Sequence, residues 1–503
     1  MLLRPTADDV RVIARTTGLA VLGLGAATSA LGLVALLGGD VESSTALLTG
    51  GAVGIAIGGA VRLRVWSPAP LSWTRGVVAA TLTWLTCSLV AAIPLYLSRH
   101  YATYLDAYFE AMSGLTTTGL TTVQDLDHMP LALGMYRHLL ELLGGLAFVV
   151  VGLTVLTAAT ATASSLTPSD VRDERILPSP ERTWRQVWSV ASVVLGFGLV
   201  LCTITIALAG MRGWSIVAHA TSLTVSAATT GGFTLQSTSV TFYHSPLVEG
   251  ALVPLMLAGA ISFAIHRAAR QGRRWELTHE FELRILLLSL AGVAAIVLVG
   301  LGRSGSQVDV VPLLRRGAFT AVAAQTTTGL TTVTPRLIAT DWGQLAPAAL
   351  VAGMTIGGMT GAPAGGLKTL RVGVILKGLV ADVRRVLLPE SALIVPTFRW
   401  GRERHLEHAH VRSAATLLLI TLAAVLTAAT VVLFVDGTVD LTESLFTATS
   451  AVTNSGQSIG AFGPETSGGL KVGFLSLMLL GRLEWLAVFA TIGFAFAGLR
   501  GRA

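Results

Sequence analysis

Charge is scarce in this sequence. Asp, Glu, Lys and Arg make up 13% of its 503 residues, against 52% hydrophobic ones. The apolar residues are gathered into runs longer than a water-soluble core needs, which places the chain in the bilayer class. Cysteine is nearly absent, and Cys87 and Cys202 both lie inside apolar runs with no His or Cys close by. That excludes a disulfide framework and a zinc site. The sequence has no Gly-rich phosphate loop and no cluster of His, Asp, Glu or Ser at matched depth, so neither an organic cofactor nor a membrane-embedded enzyme is expected. His405, His408 and His410 match no metal-ligand spacing and read as part of a solvated, Arg-rich loop.

What is present is a series of runs long enough to span a membrane, each needing about 20 mostly apolar residues. Ten occur, at 12–39, 46–61, 76–98, 131–160, 187–211, 246–266, 284–302, 344–380, 413–435 and 470–498. Arg4 and Arg11 precede the first and Arg15 lies at its start; that run is too long for a signal peptide and is expected to be retained.

The formal charge of +7 invites a nucleic-acid reading that the placement of the basic residues rejects. They cluster between alternate runs: Arg62, Arg64 and Arg75; Arg172, Arg175, Arg182 and Arg185; Arg267, Arg270, Arg273, Arg274 and Arg284; then Lys377, Arg384, Arg385, Arg399, Arg402, Arg404 and Arg412, with Arg500 and Arg502 at the end. By the positive-inside rule these segments and both termini are cytoplasmic. The opposite connections carry Asp40, Glu42, Asp106, Glu110, Asp125, Asp127, Asp309, Asp436, Asp440 and Glu443. Such acids either concentrate cations at an external mouth or are ordinary solvated loop residues.

Those same connections hold an internal repeat. FEAMSGLTTTGLTTV (109–123), SLTVSAATTGGFTL (222–235), FTAVAAQTTTGLTTV (319–333) and FTATSAVTNSGQSIG (446–460) align on Gly119, Gly232, Gly329 and Gly456. Six residues earlier stand Ser113, Ser226, Ala323 and Ser450; three earlier, Thr116, Thr229, Thr326 and Thr453; two earlier, Thr117, Thr230, Thr327 and Asn454; one earlier, Thr118, Gly231, Thr328 and Ser455. Each copy reads as a half-helix too short to span, a Thr-rich loop, then another helix. Non-helical backbone at membrane depth persists only where it is buried or lines a water-filled path. Four equivalent breaks are therefore expected to face one axis, with loop carbonyls and a Thr hydroxyl replacing the water of a cation and the carboxyl ends of the half-helices pointing at it. A single such loop would read as helix packing; four copies read as a pore. The fourth, with Asn454 and Gln457, is the most divergent, and Gly231-Gly232 makes the second the most flexible.

On these loops the sequence resembles the Trk/Ktr/HKT superfamily of potassium transporters, and its two leading helices plus four helix–loop–helix repeats are most similar to the bacterial TrkH branch. RHLLELLGGL (137–146), GGMTGAPAGGLKTLRV (357–372) and GRLEW (481–485) carry the resemblance beyond the loops. It implies an all-α polytopic protein of the bacterial plasma membrane with a pseudo-fourfold pore. The divisions are 1–75 for two leading helices, then repeats over 76–162, 163–283, 284–411 and 412–503. The resemblance assigns residues 116–119, 229–232, 326–329 and 453–456 to a K+ filter. It also implies an intramembrane gate at 357–366, including Gly357, Gly358, Gly361, Gly365 and Gly366, with Arg482 below the filter; the alternative for Arg482 is a structural pair with Glu484 or Glu141. Lys368 is grouped with this gate, although it and Arg371 read foremost as anchors snorkelling to the cytoplasmic side. Further implications are a homodimer in membrane lipid and a soluble nucleotide-binding regulatory subunit (TrkA/KtrA-like) on the cytoplasmic face. A sodium-permeable pore and an ion-coupled symporter using sodium or protons are the alternatives, with Glu141 as the residue that would serve a proton. The sequence departs from the family pattern at Ala362-Pro363, at Glu141 and Leu142, and at Gln457.

Overall fold

The computed structural model describes residues 5–66, 69, 71–156, 180–213, 215–305, 309–389 and 396–500. Arg4, Arg172, Arg175, Arg502 and the expected boundary between the first two repeats lie outside them. Two long helices lead: α1 (Ala7–Leu37), capped by the Thr6 hydroxyl on the Asp9 N–H, and α2 (Val41–Arg64), capped by Asp40 on the Ser43 N–H. They cross closely because small residues meet: a β-carbon on Gly25 would sit 2.8 Å from the Gly51 carbonyl oxygen. In a bilayer, where apolar burial gives helices no mutual drive, such close approach is what holds them.

Four units of one pattern follow. The first is α3 (Trp73–Leu97), the short α4 (Tyr104–Leu115), a loop, and α5 (Leu131–Val151). The second is α6 (Pro180–Leu208), the short α7 (Ser215–Thr229), a loop, and α8 (Pro246–Ala260), which turns by 104° into α9 (Phe263–Arg270) and is followed by α10 (Arg274–His279). The third is α11 (Phe281–Ser304), the short α12 (Val310–Gln325), a loop with α13 (Pro335–Thr340), then α14 (Leu345–Ile356), a break, and α15 (Thr369–Leu387). A hairpin of β1 (Thr397–Trp400) and β2 (Arg402–His405), paired Thr397 to His405 through Trp400 to Arg402, leads to the fourth: α16 (His408–Val435), the short α17 (Leu441–Val452), a loop, and α18 (Gly468–Arg500).

The four short helices have 12, 15, 16 and 12 residues, so they rise only about 18–24 Å and cannot cross a hydrocarbon core of roughly 30 Å. Their carboxyl-terminal halves lie deep inside the protein, with Phe109, Glu110, Ala227, Ala323 and Phe446 inaccessible. The long helices instead turn Leu33, Phe197, Leu288, Leu419 and Phe434 outward. A buried centre inside an apolar perimeter is the arrangement of a polytopic membrane protein.

Among the described residues, seven of the ten apolar runs coincide with helices long enough to span. The other three are interrupted. The run at 246–266 bends at Ile261, and that at 470–498 bends by 96° about Glu484, whose φ of 62° lies outside the helical region. Hydropathy does not register these bends, because both sides of each are apolar. The segment containing His405, His408 and His410 forms β2 and the start of α16, not an open loop. Among the described residues no group of His, Cys, Asp or Glu is disposed to hold a metal ion.

Candidate functional site: four loops closed into a ring

Each short helix ends in the same way. The hydroxyls of Thr116, Thr229, Thr326 and Thr453 donate to the carbonyls of Met112, Val225, Val322 and Thr449 at 2.7–2.8 Å. At Met112, Val322 and Thr449 the same carbonyl also accepts the backbone N–H of that threonine, so the hydroxyl adds a second bond to the last helical turn. The next residue turns left-handed: φ is 48° at Thr117, 54° at Thr230, 53° at Thr327 and 53° at Asn454. The chain then doubles back, so that the N–H groups of Thr118, Gly231, Thr328 and Ser455 donate to the carbonyls of Ser113, Ser226, Ala323 and Ser450 at 2.8–2.9 Å. This return explains the small residue six positions before each glycine.

The glycines close the figure. All four have positive φ, from 73° to 90°. A β-carbon on Gly119 would run into the carbonyl oxygen of Gly231, on Gly232 into that of Thr328, on Gly329 into that of Ser455, and on Gly456 into that of Thr118. Each loop thus abuts the next in the order one, two, three, four and back to one. Every position from the capping Thr to the residue before the glycine is buried, whereas the four glycines are partly open. The carboxyl ends of the four short helices lead into this ring, and a helix carboxyl end carries partial negative charge.

Behind the ring stands a buried ionic scaffold. The Glu110 carboxylate receives Arg137 at 2.7–2.8 Å, the Thr121 hydroxyl and the Thr122 N–H, which fixes the strand leaving the first loop. Arg137 also donates to the Thr234 carbonyl at 3.1 Å and lies over the Phe233 ring. Glu141 receives His138 at 2.9 Å and the Phe233 N–H at 2.8 Å, while His138 Nε2 meets the Ser222 hydroxyl at 2.5 Å. Lys471 reaches Asp106 at 2.6 Å and Arg315 reaches Glu249 at 2.8 Å, joining the fourth unit to the first and the third to the second.

Several expectations change accordingly. Asp106 and Glu110 are inside the protein, not acids of a mouth, and Asp440 caps α17 through the Glu443 N–H. Gly231 is not a point of slack. It leaves room for the Glu141 carboxylate, into which a β-carbon there would run, and holds the same return bond as its counterparts.

The break between α14 and α15 passes directly beneath the ring. The Gly365 N–H donates to the Thr327 hydroxyl at 2.6 Å and the Gly366 N–H to the Thr453 carbonyl at 3.1 Å. On its other side the Met359 N–H donates to the Ala260 carbonyl and the Phe263 N–H to the Gly361 carbonyl. Gly357, Gly361 and Gly366 have positive φ; Gly358 sits so close to Ala260 and Ala364 that only a hydrogen side chain fits. Arg482 donates to the Pro363 carbonyl at 2.5 Å and its guanidinium lies 3.9 Å over the Phe148 ring. It pairs with neither Glu484 nor Glu141: Glu484 holds Arg371 at 2.6 Å. Lys368 does not snorkel. It is buried, donates to the Ala362 and Ala364 carbonyls and faces the same Phe148 ring.

Sequence reading missed Glu282. One of its carboxylate oxygens receives the N–H groups of Thr360 and Leu370, at 2.5 and 3.2 Å, and the Thr369 hydroxyl at 3.3 Å, so it grips the break at both ends. The available signal was an acid in the first turn of an otherwise apolar helix.

Residues 43–494 match the family described as TrkH, cation transport protein. A protein of Methanocaldococcus jannaschii named as an uncharacterized cation transporter is 30% identical over 447 residues, 87% of each chain. The Trk system potassium uptake protein TrkH of Halomonas elongata is 30% identical over 328 residues, 64% of this chain and 65% of that one; its counterpart in Escherichia coli is 26% identical over 76% and 78%. The crystal structure of the potassium transporter TrkH from Vibrio parahaemolyticus shares the fold, with a TM-score of 0.81 over 95% of this chain and 98% of that one at 21% identity. By the span of the family match and the archaeal relative, this chain belongs to the TrkH family of cation transport proteins.

Proposed function

We propose that this chain takes up potassium across the bacterial plasma membrane, through a filter formed by residues 116–119, 229–232, 326–329 and 453–456 and gated beneath by the 357–366 segment with Lys368 and Arg482. The observation that carries the reading is the closed succession of glycine against carbonyl around the four loops. A dehydrated monovalent cation forfeits solvation worth on the order of 20 kcal/mol in a low-dielectric medium, and a ring of oxygens offsets that loss. The names of the relatives, as potassium uptake proteins of a Trk system, support potassium as the ion and a separate regulatory subunit as a partner. That subunit would bind nucleotide on the cytoplasmic face, where both termini lie, and the pore subunit would work as a homodimer. Glu141, on which proton coupling would rest, is committed to the Phe233 N–H and His138, which favours flow down the electrochemical gradient over coupled symport.

The test is rescue of a potassium-uptake-deficient bacterium at limiting external potassium, with a regulatory subunit co-expressed. Wild type restores growth, and Gly232→Ser loses it or admits sodium, because a side chain there enters the Thr328 carbonyl. A well-expressed wild type that fails to rescue would refute the assignment.

A further inference from the structure

On the face opposite the four loops, the start of α11, the middle of α15 and the β1–β2 hairpin enclose a cavity of about 310 Å³ lined by Arg284, Lys377, Arg399, His279 and Glu403, with Phe281 and Phe398 as its apolar wall. Arg284 donates to the Thr278 carbonyl through Nε and Nη2, at 3.1 and 2.8 Å. Lys377 stands 5.2 Å over the Phe281 ring and Arg399 3.9 Å over the Trp275 ring. The Nε of Arg399 is buried without a hydrogen-bond partner. Among the described residues none of these three cations forms an ion pair. The acids nearby are engaged: Glu403 receives the Thr397 hydroxyl at 2.8 Å and Glu280 receives the Gly401 N–H. Three cations against the single lining carboxylate of Glu403 leave the cavity net positive, and at the amino-terminal end of a 24-residue helix they fit a phosphate-bearing anion.

The surroundings decide what carries the phosphate. One turn along α11 from Arg284, Leu287 and Leu288 are 50% and 70% exposed; beside Lys377 on α15, Leu376, Leu379, Val380 and Val383 are exposed as well. The exposed Trp275, stacked on His279 at 4.5 Å, flanks the opening, as an aromatic belt residue does at headgroup level. A soluble phosphate has no use for that apolar border, whereas acyl chains would lie along it. We infer that this cavity binds the headgroup of an anionic phospholipid, with Arg284, Lys377 and Arg399 on the phosphate and the tails against α11 and α15. Lipid would thereby be attached to α15, the helix that continues directly from the break beneath the ring.

The experiment titrates the purified full chain with phosphatidylglycerol and phosphatidylcholine by native mass spectrometry. Wild type retains phosphatidylglycerol at least about a hundredfold more strongly. Lys377→Gln weakens that preference about fivefold, and Arg284→Gln/Lys377→Gln/Arg399→Gln about a hundredfold, at the usual contribution of one basic residue near an anionic surface. Arg62→Gln/Arg64→Gln, a basic pair at the end of α2, leaves it unchanged. If the triple variant does not fold, Lys377→Gln alone decides. Undiminished preference in the Gln variants would overturn the site. Displacement of the lipid by millimolar inorganic phosphate would assign the cavity to a soluble phosphate, and equal retention of both lipids by wild type would leave the cations to a protein or nucleic acid; each result overturns the proposal.

Discussion

Replacing Arg482 with methionine should raise ion flux while leaving the fold nearly as stable as before. Its side chain is 1% exposed, and two of its three guanidinium nitrogens have no hydrogen-bond partner. The nearby carboxylate of Glu484 is taken by Arg371. An unpaired cation at bilayer depth costs about 2.5–3.5 kcal/mol on insertion scales. Against that stand a charged hydrogen bond to Pro363, contributing about 1.5–3 kcal/mol, and a desolvated contact with Phe148 of about 2 kcal/mol. The opposing contributions nearly cancel, so Arg482→Met should change unfolding free energy by no more than about 2 kcal/mol. The position of the loop is another matter. Losing the bond to Pro363 removes about 1.5–3 kcal/mol from the loop's hold beneath the ring, a shift of roughly tenfold to a hundredfold in its occupancy. Rubidium tracer uptake into proteoliposomes at matched protein density should rise by at least about tenfold, with a thermal midpoint close to wild type. Arg482→Lys separates charge from geometry, since it keeps the cation and shortens the reach; flux close to wild type there assigns the restraint to charge. Flux within twofold of wild type in well-folded Arg482→Met would refute the reasoning.

The scaffold behind the ring responds differently. Arg137→Met strands the inaccessible Glu110 carboxylate and should cost about 3–5 kcal/mol, seen as a lowered thermal midpoint in detergent; Glu110→Gln/Arg137→Met should recover most of it, and a double variant worse than the single would contradict the pairing. Gly456→Ala places a β-carbon on the Thr118 carbonyl at a φ of 73°, where an L-residue costs about 1–2 kcal/mol before any overlap; the sodium-to-potassium flux ratio should rise, while Gly463→Ala, with open space around it, leaves it unchanged. Glu282→Gln keeps an acceptor for the Thr360 and Leu370 N–H groups but roughly halves each bond by removing the charge. Flux should therefore rise modestly in Glu282→Gln and further in Glu282→Ala, and equal flux in both would show that the clasp does not restrain the loop.

The offsets that make the repeat visible in the sequence are those at which the backbone demands a residue type. Glycine marks positive φ against a neighbouring carbonyl. The small residue six positions earlier lies where the chain folds back, and the threonine three positions earlier is the helix cap. The hydroxyl of that threonine donates its proton to a helix carbonyl four residues back in all four copies. The contacts that brace the ring were not legible, because they join residues far apart in sequence, Lys471 with Asp106 and Glu282 with Thr360 and Leu370. Acids such as Glu110 looked like solvent-facing loop residues because nothing local distinguishes a carboxylate that will meet Arg137 from one that will meet water.

The fourth loop, the most divergent in sequence, is different for a reason that the ring supplies. Where the other loops carry threonine, Asn454 extends Nδ2 to the Thr118 hydroxyl at 2.8 Å and to the Met478 carbonyl at 2.9 Å. It thus fastens the last loop to the first, the one junction that chain connectivity leaves open. The segment beneath is fastened unevenly as well. It bonds to Thr327 in the third loop and Thr453 in the fourth, while the equivalent hydroxyls of Thr117 and Thr230 are buried without partners. The Met359 N–H on the Ala260 carbonyl and the Phe263 N–H on the Gly361 carbonyl tie the segment to the second unit as well, so hydrogen bonds hold it from three of the four units. Arg482, reaching from α18 to the Pro363 carbonyl at the segment's middle, adds a second tie to the fourth unit, beside the Gly366 N–H on the Thr453 carbonyl.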